Sequence, residues 1–172
     1  MKKQSKAAKI AYPALLGALS LVFVYIGSVV PSGKWGFVAV AGLFPAAAVI
    51  SVGLKSGFLC WAGVTILSMI FIPDKFSALL YGVLFGLYPM IKSLIERFRH
   101  LALSYVLKLV FFNATFSVVY TVMREAVFDS VPSVLNVGWL IYLVGNVVFL
   151  IYDFGFSRLI AFYIARIGRA VK

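Results

Sequence analysis

The chain has few of the side chains from which catalytic and metal sites are built. Its 172 residues include five acidic residues, one histidine and one cysteine. The cysteine, Cys60, lies in an apolar run, which excludes a disulfide framework and a cluster of thiolate metal ligands. The histidine, His100, lies in a basic stretch with no carboxylate pair placed for metal ligation. We therefore expect no metal and no cofactor, and the few carboxylates leave little for a proton relay.

Sequence motifs of common enzymes are missing as well. There is no Gly-x-Ser-x-Gly elbow that would present a serine for nucleophilic catalysis. No glycine-rich loop ends in a lysine followed by serine or threonine, so the chain does not bind ATP through a P-loop. We do not expect an enzyme, and any ATP-driven step would need separate subunits.

Charged residues are scarce throughout the chain. They make up 12% of it, whereas 63% of the residues are hydrophobic and the mean hydropathy is +1.06. A soluble domain of this length has too little core volume to hide so much apolar surface, so lipid is the expected solvent. At about 20 residues per crossing, the chain has room for about six spans. We expect an all-α membrane protein, a compact bundle of six transmembrane helices, forming a single transmembrane domain over residues 1–172.

Turn residues and charges divide the apolar sequence into six runs, and a basic segment at residues 1–8 precedes the first. Spans three and four are short for a full crossing, which leaves a re-entrant pair as an alternative. Residues 91–100 are more polar and indicate an interfacial stretch after span four. The expected spans cover about residues 8–30, 35–54, 58–72, 76–90, 101–123 and 137–165.

The net charge of +11 comes from basic residues placed between the apolar runs. They form no stripe on a folded surface, so a nucleic-acid partner is not expected. With an even number of spans both termini share a side, and that side carries eleven of the sixteen lysines and arginines against three on the other. The positive-inside rule therefore predicts that both termini are cytoplasmic.

The first helix is rich in small residues at separations of three and four, namely Ala7, Ala11, Ala14, Gly17 and Ala18. The pair Ala14 and Ala18 lets another helix approach closely and gain van der Waals contact. Both packing inside the bundle and docking of a partner subunit explain such a face. A second small-residue surface on span two offers the same two explanations, and it runs through Ala39, Gly42, Ala46 and Ala47.

Three charged residues lie within spans, where hydrocarbon makes them costly. Lys108 and Arg158 are expected near the cytoplasmic boundary, where a long side chain reaches water. Asp153 is deeper and shorter. The simplest prediction is an internal ion pair of Asp153 with Lys108 or Arg158, which ties the ends of spans five and six. A role in transport or coupling is the alternative.

Polar and aromatic residues collect in the outer half of the later spans. Trp139, Tyr142 and Asn146 share one helix face and offer an aromatic ring for stacking, a hydroxyl and an amide. An unpaired amide in lipid costs free energy, so Asn113 and Asn146 are expected to face the interior. This group is typical of a site for a flat, polar, uncharged or weakly charged small molecule. A purely structural role is the open alternative.

The first helix and the overall layout resemble the substrate-binding S components of energy-coupling factor (ECF) transporters. The similarity rests on the chain length, six spans with short loops, cytoplasmic termini and the segment Ala14-Leu15-Leu16-Gly17-Ala18. The resemblance implies that Ala14 and Ala18 dock on a transmembrane coupling subunit, which separate ATPase subunits drive. It also implies residence in the lipid bilayer of a bacterial plasma membrane as a multi-pass protein.

The same resemblance implies a vitamin-like substrate that binds near the external side. By region, the later helices and outer loops carry the expected site, at Trp35, Arg124, Asn136, Trp139, Tyr142 and Asn146.

A non-transport scaffold is the competing hypothesis. Membrane subunits of the bacterial cell-shape machinery, similar to the protein MreD, have a comparable length and number of spans. Such a scaffold needs docking surfaces but no polar external pocket. The outer cluster on span six is therefore the feature that favours transport.

Overall fold

The computed structural model describes residues 6–98, 100–124 and 138–170, and these ranges are helical and contain no β-strand. A π-helical turn at Tyr81–Phe85 joins two of the helices. The helices are α1 (Lys6–Val29), α2 (Lys34–Ala41), α3 (Leu43–Ser51), α4 (Leu54–Phe71), α5 (Lys75–Leu80), α6 (Tyr88–Ile95), α7 (Leu101–Val122) and α8 (Gly138–Ala170).

Six helical segments in the described part of the chain are long and apolar enough to cross a membrane, which confirms the expected number. Helices α2 and α3 together form the second span, and α5, the π-helical turn and α6 form the fourth. The third and fourth spans, Leu54–Phe71 and Lys75–Ile95, are longer than the apolar runs suggested. The shortness that motivated a re-entrant pair is therefore absent, and residues 91–95 continue the helix.

Short turns reverse the chain between successive members of the first four spans. Gly33 and Gly53 have positive φ angles of 77° and 125°, which glycine adopts without strain, and each directly precedes a helix. Asp74 caps α5 by accepting hydrogen bonds from the Phe76 amide at 3.1 Å and the Ser77 hydroxyl at 2.6 Å. Because of these turns, each of the first three spans ends beside the start of the next one.

The two ends of the bundle are fixed by contacts between distant residues. The hydroxyls of Tyr12 and Ser51 lie 2.6 and 3.1 Å from that of Tyr163, where α1 begins and α8 approaches its end. Lys34 and Asp74 lie 4.0 Å apart where α2 and α5 begin. We call the end with Tyr163 the basic end, because lysines precede or follow the helices there. The end with Lys34 and Asp74 is the opposite end.

The first four spans form the more tightly packed part of the bundle, in which α1 contacts α2, α3 and α4. Gly42 separates α2 from α3 and lies directly against the carbonyl oxygen of Phe85, in the π-helical turn. A side chain at position 42 would overlap this oxygen. The small-residue surface of span two is thus used for packing inside the bundle, with Gly42 and Ala46 buried.

Two irregularities interrupt the helices, namely the break at Gly42 and the π-helical turn at Tyr81–Phe85. Both release backbone carbonyls, which accept hydrogen bonds from side chains of neighbouring helices. The Ser20 hydroxyl donates to the Ala41 carbonyl at 2.9 Å and lies 3.0 Å from the Tyr81 hydroxyl. The Trp61 indole N–H donates to the Gly82 carbonyl at 2.8 Å. Non-regular backbone at membrane depth is tolerated where protein groups satisfy it, as they do here.

Candidate functional sites

An apolar cavity of about 260 Å³ lies between spans two, four, five and six, towards the opposite end. Trp35 and Phe76, in the first turns of α2 and α5, line it at that end, with ring centroids 6.2 Å apart. Tyr152 and Phe85 line it deeper in the bundle, with centroids 5.1 Å apart. Both helix irregularities therefore adjoin this space, through Ala39 on one side and Leu84 and Phe85 on the other.

The cavity wall on the side of α7 and α8 is aromatic. Phe112 stacks on Phe149 at 4.6 Å and on Phe116 at 5.5 Å between ring centroids. Gly145 lies on this wall, where an added Cβ would meet the Phe112 ring at 3.2 Å. The arrangement can enclose a flat apolar group by stacking and offers it little hydrogen bonding.

The two asparagines expected at a binding site bond to each other instead. The Asn113 amide donates to the Asn146 carbonyl oxygen at 2.8 Å, and the Asn146 amide donates to that of Asn113 at 3.0 Å. Each amide also donates to the main chain four residues earlier, at Leu109 and Tyr142. The pair ties α7 to α8, and neither residue lines the cavity.

Trp139 and Tyr142, which share the expected binding face with Asn146, also lie away from the cavity. The Tyr142 hydroxyl is 2.9 Å from the Ser117 hydroxyl on α7, and the Trp139 side chain is 69% exposed. The helical rotation explains the difference, since Ile141, Gly145 and Phe149 face the cavity. Tyr142 and Asn146 therefore form a contact line between α8 and α7.

Of the expected binding residues that the structure describes, only Trp35 lines the cavity. Arg124 is exposed, just after the end of α7. Asn136 lies outside the described residues. The cavity-lining phenylalanines were missed because they look like ordinary membrane-facing residues in sequence. Their spacing, Phe112 four residues before Phe116 on one helix face, was the available signal.

A buried cluster of charges lies between α6, α7 and α8 towards the basic end. The Asp153 carboxylate accepts a 2.9 Å hydrogen bond from Lys108 and further bonds from Lys92 and the Tyr88 hydroxyl. Lys92 also donates to Ser157 at 2.8 Å. Asp153, Lys92 and Lys108 are 5%, 2% and 6% exposed. With Glu96 included, the cluster has two positive and two negative charges. Its net charge is therefore zero, as the burial of charged groups requires.

Sequence reasoning found two of these charged residues and missed Lys92. Lys92 falls in the polar stretch of residues 91–100 that the sequence predicts after span four, because the apolar run ends near residue 90. The helix continues to Ile95 and turns the lysine inward. The spacing of Tyr88, Lys92 and Glu96 by four residues was a signal that all three share one helix face.

Arg158, the alternative partner for Asp153, is exposed and makes no ion pair among the described residues. Its guanidinium lies 5.1 Å from the centre of the Phe154 ring instead. Five residues on a helix correspond to about 500° of rotation at 3.6 residues per turn, so Arg158 and Asp153 leave α8 in different directions. The internal ion pair is therefore formed by Asp153 with the two lysines.

Glu96 lies just beyond the end of α6 and is the half-exposed member of the cluster. Lys92 and Lys108 approach its carboxylate at 2.8 and 3.0 Å. Burial disfavours the ionised form, but the hydrogen bonds from Lys92 and Lys108 outweigh it and lower the pKa of the Glu96 carboxyl. Glu96 thus remains a charged partner for both lysines.

Tyr88 connects the charged cluster with the apolar cavity. Its ring packs against Phe149 at 5.2 Å and Tyr152 at 5.8 Å, both of which line the cavity, while its hydroxyl bonds to Asp153. The cavity is closed towards the basic end by these rings and the ion pairs behind them.

The first helix presents its small residues to two sides. Ala14 and Ala18 are exposed, whereas Gly17 is buried, with a Cβ position 3.5 Å from Val64 and 3.6 Å from Cys60. The expected single face of five small residues is therefore divided, because Gly17 turns towards α4. The Ala14 and Ala18 pair is left on the outside of the bundle.

Comparisons with protein-family models, curated proteins and solved structures gave no match to this chain.

Proposed function

We propose that the chain is the substrate-binding membrane component of an ECF-type uptake transporter for a small vitamin-like metabolite. The observation that carries this proposal is the cavity of about 260 Å³ between four spans. Its size approaches the roughly 300–1,000 Å³ of small-molecule sites. A helix bundle that serves as a scaffold has no need of such a space.

The interrupted helices around the cavity also support this proposal. Carriers commonly form their sites from discontinuous helices near the bilayer midplane. Here the break at Gly42 and the π-helical turn at Tyr81–Phe85 both adjoin the cavity. Their polar groups bond to Ser20 and Trp61, so the free space itself stays apolar.

The lining changes the expected chemistry of the substrate. A fully apolar molecule crosses bilayers unaided and needs no carrier, while this cavity gives a polar one few partners. We infer an amphipathic substrate whose flat apolar part lies among Phe112, Phe116 and Phe149. Its polar part then lies at the opposite end, beside Trp35 and the Lys34 and Asp74 pair.

The proposed orientation places the opposite end of the bundle outside the cell. It rests on the excess of basic residues at the basic end, which the positive-inside rule assigns to the cytoplasm in a bacterial plasma membrane. The cavity then faces the external side, and the Tyr88 and Asp153 cluster closes it towards the cytoplasm. Uptake requires a coupling subunit and ATPases, for which the exposed Ala14 and Ala18 provide a docking surface.

Mass spectrometry of small molecules that co-purify with the detergent-solubilised chain tests the proposal. We expect one amphipathic metabolite, lost in Gly36→Leu, because Gly36 lines the cavity and has open space around it. Gly63→Leu is the matched control, since Gly63 also has open space but lies on α4 away from the cavity. Retention of the metabolite by both variants argues against this site, and no metabolite in any preparation favours the scaffold.

A further inference from the structure

A second cavity, of about 570 Å³, opens as a groove between the first half of α7 and the middle of α8. Its walls are apolar and exposed, and Tyr105, Leu150 and Phe154 contribute to them. Its floor is polar and carries Lys108, Asp153 and Ser157, and the half-exposed Glu96 also lines the groove. An occupant of this groove therefore needs long apolar parts and a polar part that meets the floor.

The floor retains one hydrogen-bond donor. The Lys108 ammonium has three N–H groups, and those to Asp153 at 2.9 Å and Glu96 at 3.0 Å use two of them. Lys92 is fully engaged by Asp153, Glu96 and Ser157. The remaining N–H of Lys108 is thus the donor that this cluster can offer to a ligand in the groove.

A third feature is a cation, Arg158, one helical turn beyond the groove-lining residue Phe154. The Arg158 guanidinium lies over Phe154, a wall residue, and is exposed with no ion pair among the described residues. Because the cluster of Lys92, Lys108, Glu96 and Asp153 is neutral in sum, Arg158 makes this site positive.

The depths of these groups match the parts of a phospholipid. Lys108 lies about 10 Å along α7 from its first residue, Leu101, at 1.5 Å per residue. Arg158 lies about 7 Å nearer the basic end than Asp153 on the same scale. The arginine thus lies one to two turns nearer the basic end than the lysine donor, which is the order in which a lipid phosphate and its ester carbonyls follow one another.

We propose that this groove binds one glycerophospholipid with an anionic head group, from the leaflet at the basic end. Arg158 binds the phosphate, the free N–H of Lys108 donates to an ester carbonyl, and the acyl chains lie along Leu150, Phe154 and Tyr105. Basic sites between transmembrane helices are known to hold anionic lipid head groups. The proposal is independent of the cavity and of any transported substrate.

Native mass spectrometry of the full chain in detergent, with phosphatidylglycerol or phosphatidylcholine of identical acyl chains, tests the site. We expect one phosphatidylglycerol to remain bound. We expect Arg158→Gln to weaken it about fivefold, the factor equivalent to the ~1 kcal/mol that one basic residue contributes near an anionic surface. Arg166→Gln is the matched control, because Arg166 lies over Phe162 at 5.7 Å in the same arrangement, two turns farther along α8.

A second arm examines the deeper contact without altering the protein. Ether-linked phosphatidylglycerol lacks the ester carbonyls and should bind less tightly than the ester lipid to the unmodified chain. Equal retention of phosphatidylcholine and phosphatidylglycerol would overturn the proposal and indicate an ordinary lipid annulus. Equal weakening by Arg158→Gln and Arg166→Gln, or equal binding of ether and ester lipids, would also contradict it.

Discussion

The carboxylate of Asp153 on α8 accepts a 2.9 Å hydrogen bond from the ammonium of Lys108 on α7, and both side chains are buried. Lys92 on α6 bonds to the other carboxylate oxygen. One aspartate thus joins three helices at the basic end. Aromatic rings and the Asn113 and Asn146 pair make the contacts of α8 nearer the opposite end.

Replacement of Asp153 by Asn should destabilise the bundle by about 3–5 kcal/mol, because it leaves two buried lysines without their shared carboxylate. Thermal unfolding in detergent measures the change. Arg166→Gln is the control on the same helix, and it should leave the unfolding temperature nearly unchanged because Arg166 is exposed. An Asp153→Asn variant as stable as the parent would show that the cluster does not hold the helices together.

The contribution of Glu96 should depend on pH. Since its pKa is lowered in the folded protein, its ionised form stabilises the fold above the ordinary carboxyl pKa of 4.5. That contribution is lost as the pH falls below 4.5 and through the folded pKa. The stability difference between the parent and Glu96→Gln should therefore be constant near neutral pH and shrink in acid. A difference that grows in acid contradicts this assignment.

The amides of Asn113 and Asn146 should behave as a coupled pair. Either residue changed to Leu leaves the other amide without its partner, whereas the double change leaves none unpaired. A double-mutant cycle on the free energy of unfolding should give a coupling of about 0.6 kcal/mol, the average for polar pairs between membrane helices, and at most about 1.7 kcal/mol. If the Leu variants instead lose a co-purifying metabolite while their stability is unchanged, Asn113 and Asn146 belong to the binding site.

Gly42→Ala should destabilise the bundle by about 1–3 kcal/mol, because the added methyl group overlaps the Phe85 carbonyl and forces two spans apart. Gly63→Ala is the matched control. Gly63 also lies in a span and has open space around it, so alanine there should be neutral or slightly stabilising. If both variants unfold at the same temperature, the close approach of span two to the π-helical turn is not a constraint.

The exposed pair on α1 provides a test of partner docking. Ala14→Trp should leave the unfolding temperature of the isolated chain unchanged, because Ala14 faces outward. It should prevent co-purification of the coupling subunit by blocking close helix approach. Leu15→Trp, at a neighbouring exposed position outside the small-residue pair, is the control. Full assembly of the Ala14→Trp variant would exclude this surface.

The sequence was sufficient to predict the helices but not which face of each helix points into the bundle. Length, hydropathy and turn residues predicted six spans, because a bilayer requires long apolar helices and leaves few alternatives. The faces of α8 were harder to assign. Trp139, Tyr142 and Asn146 looked like a site because polar groups are rare in spans. Partners on α7 satisfy Tyr142 and Asn146, while Trp139 is exposed.

The sequence alone determined that this chain is a multi-span helical protein with an excess of basic residues at alternate connections. It also determined that Asp153 needs a buried cation, since an unpaired carboxylate in hydrocarbon is too costly. Only the tertiary structure decided that the cations are Lys108 and Lys92, while Arg158 stays outside. The rotation of each helix sets these partners, and it depends on packing at Gly42, Gly17 and the aromatic rings, which no single segment encodes.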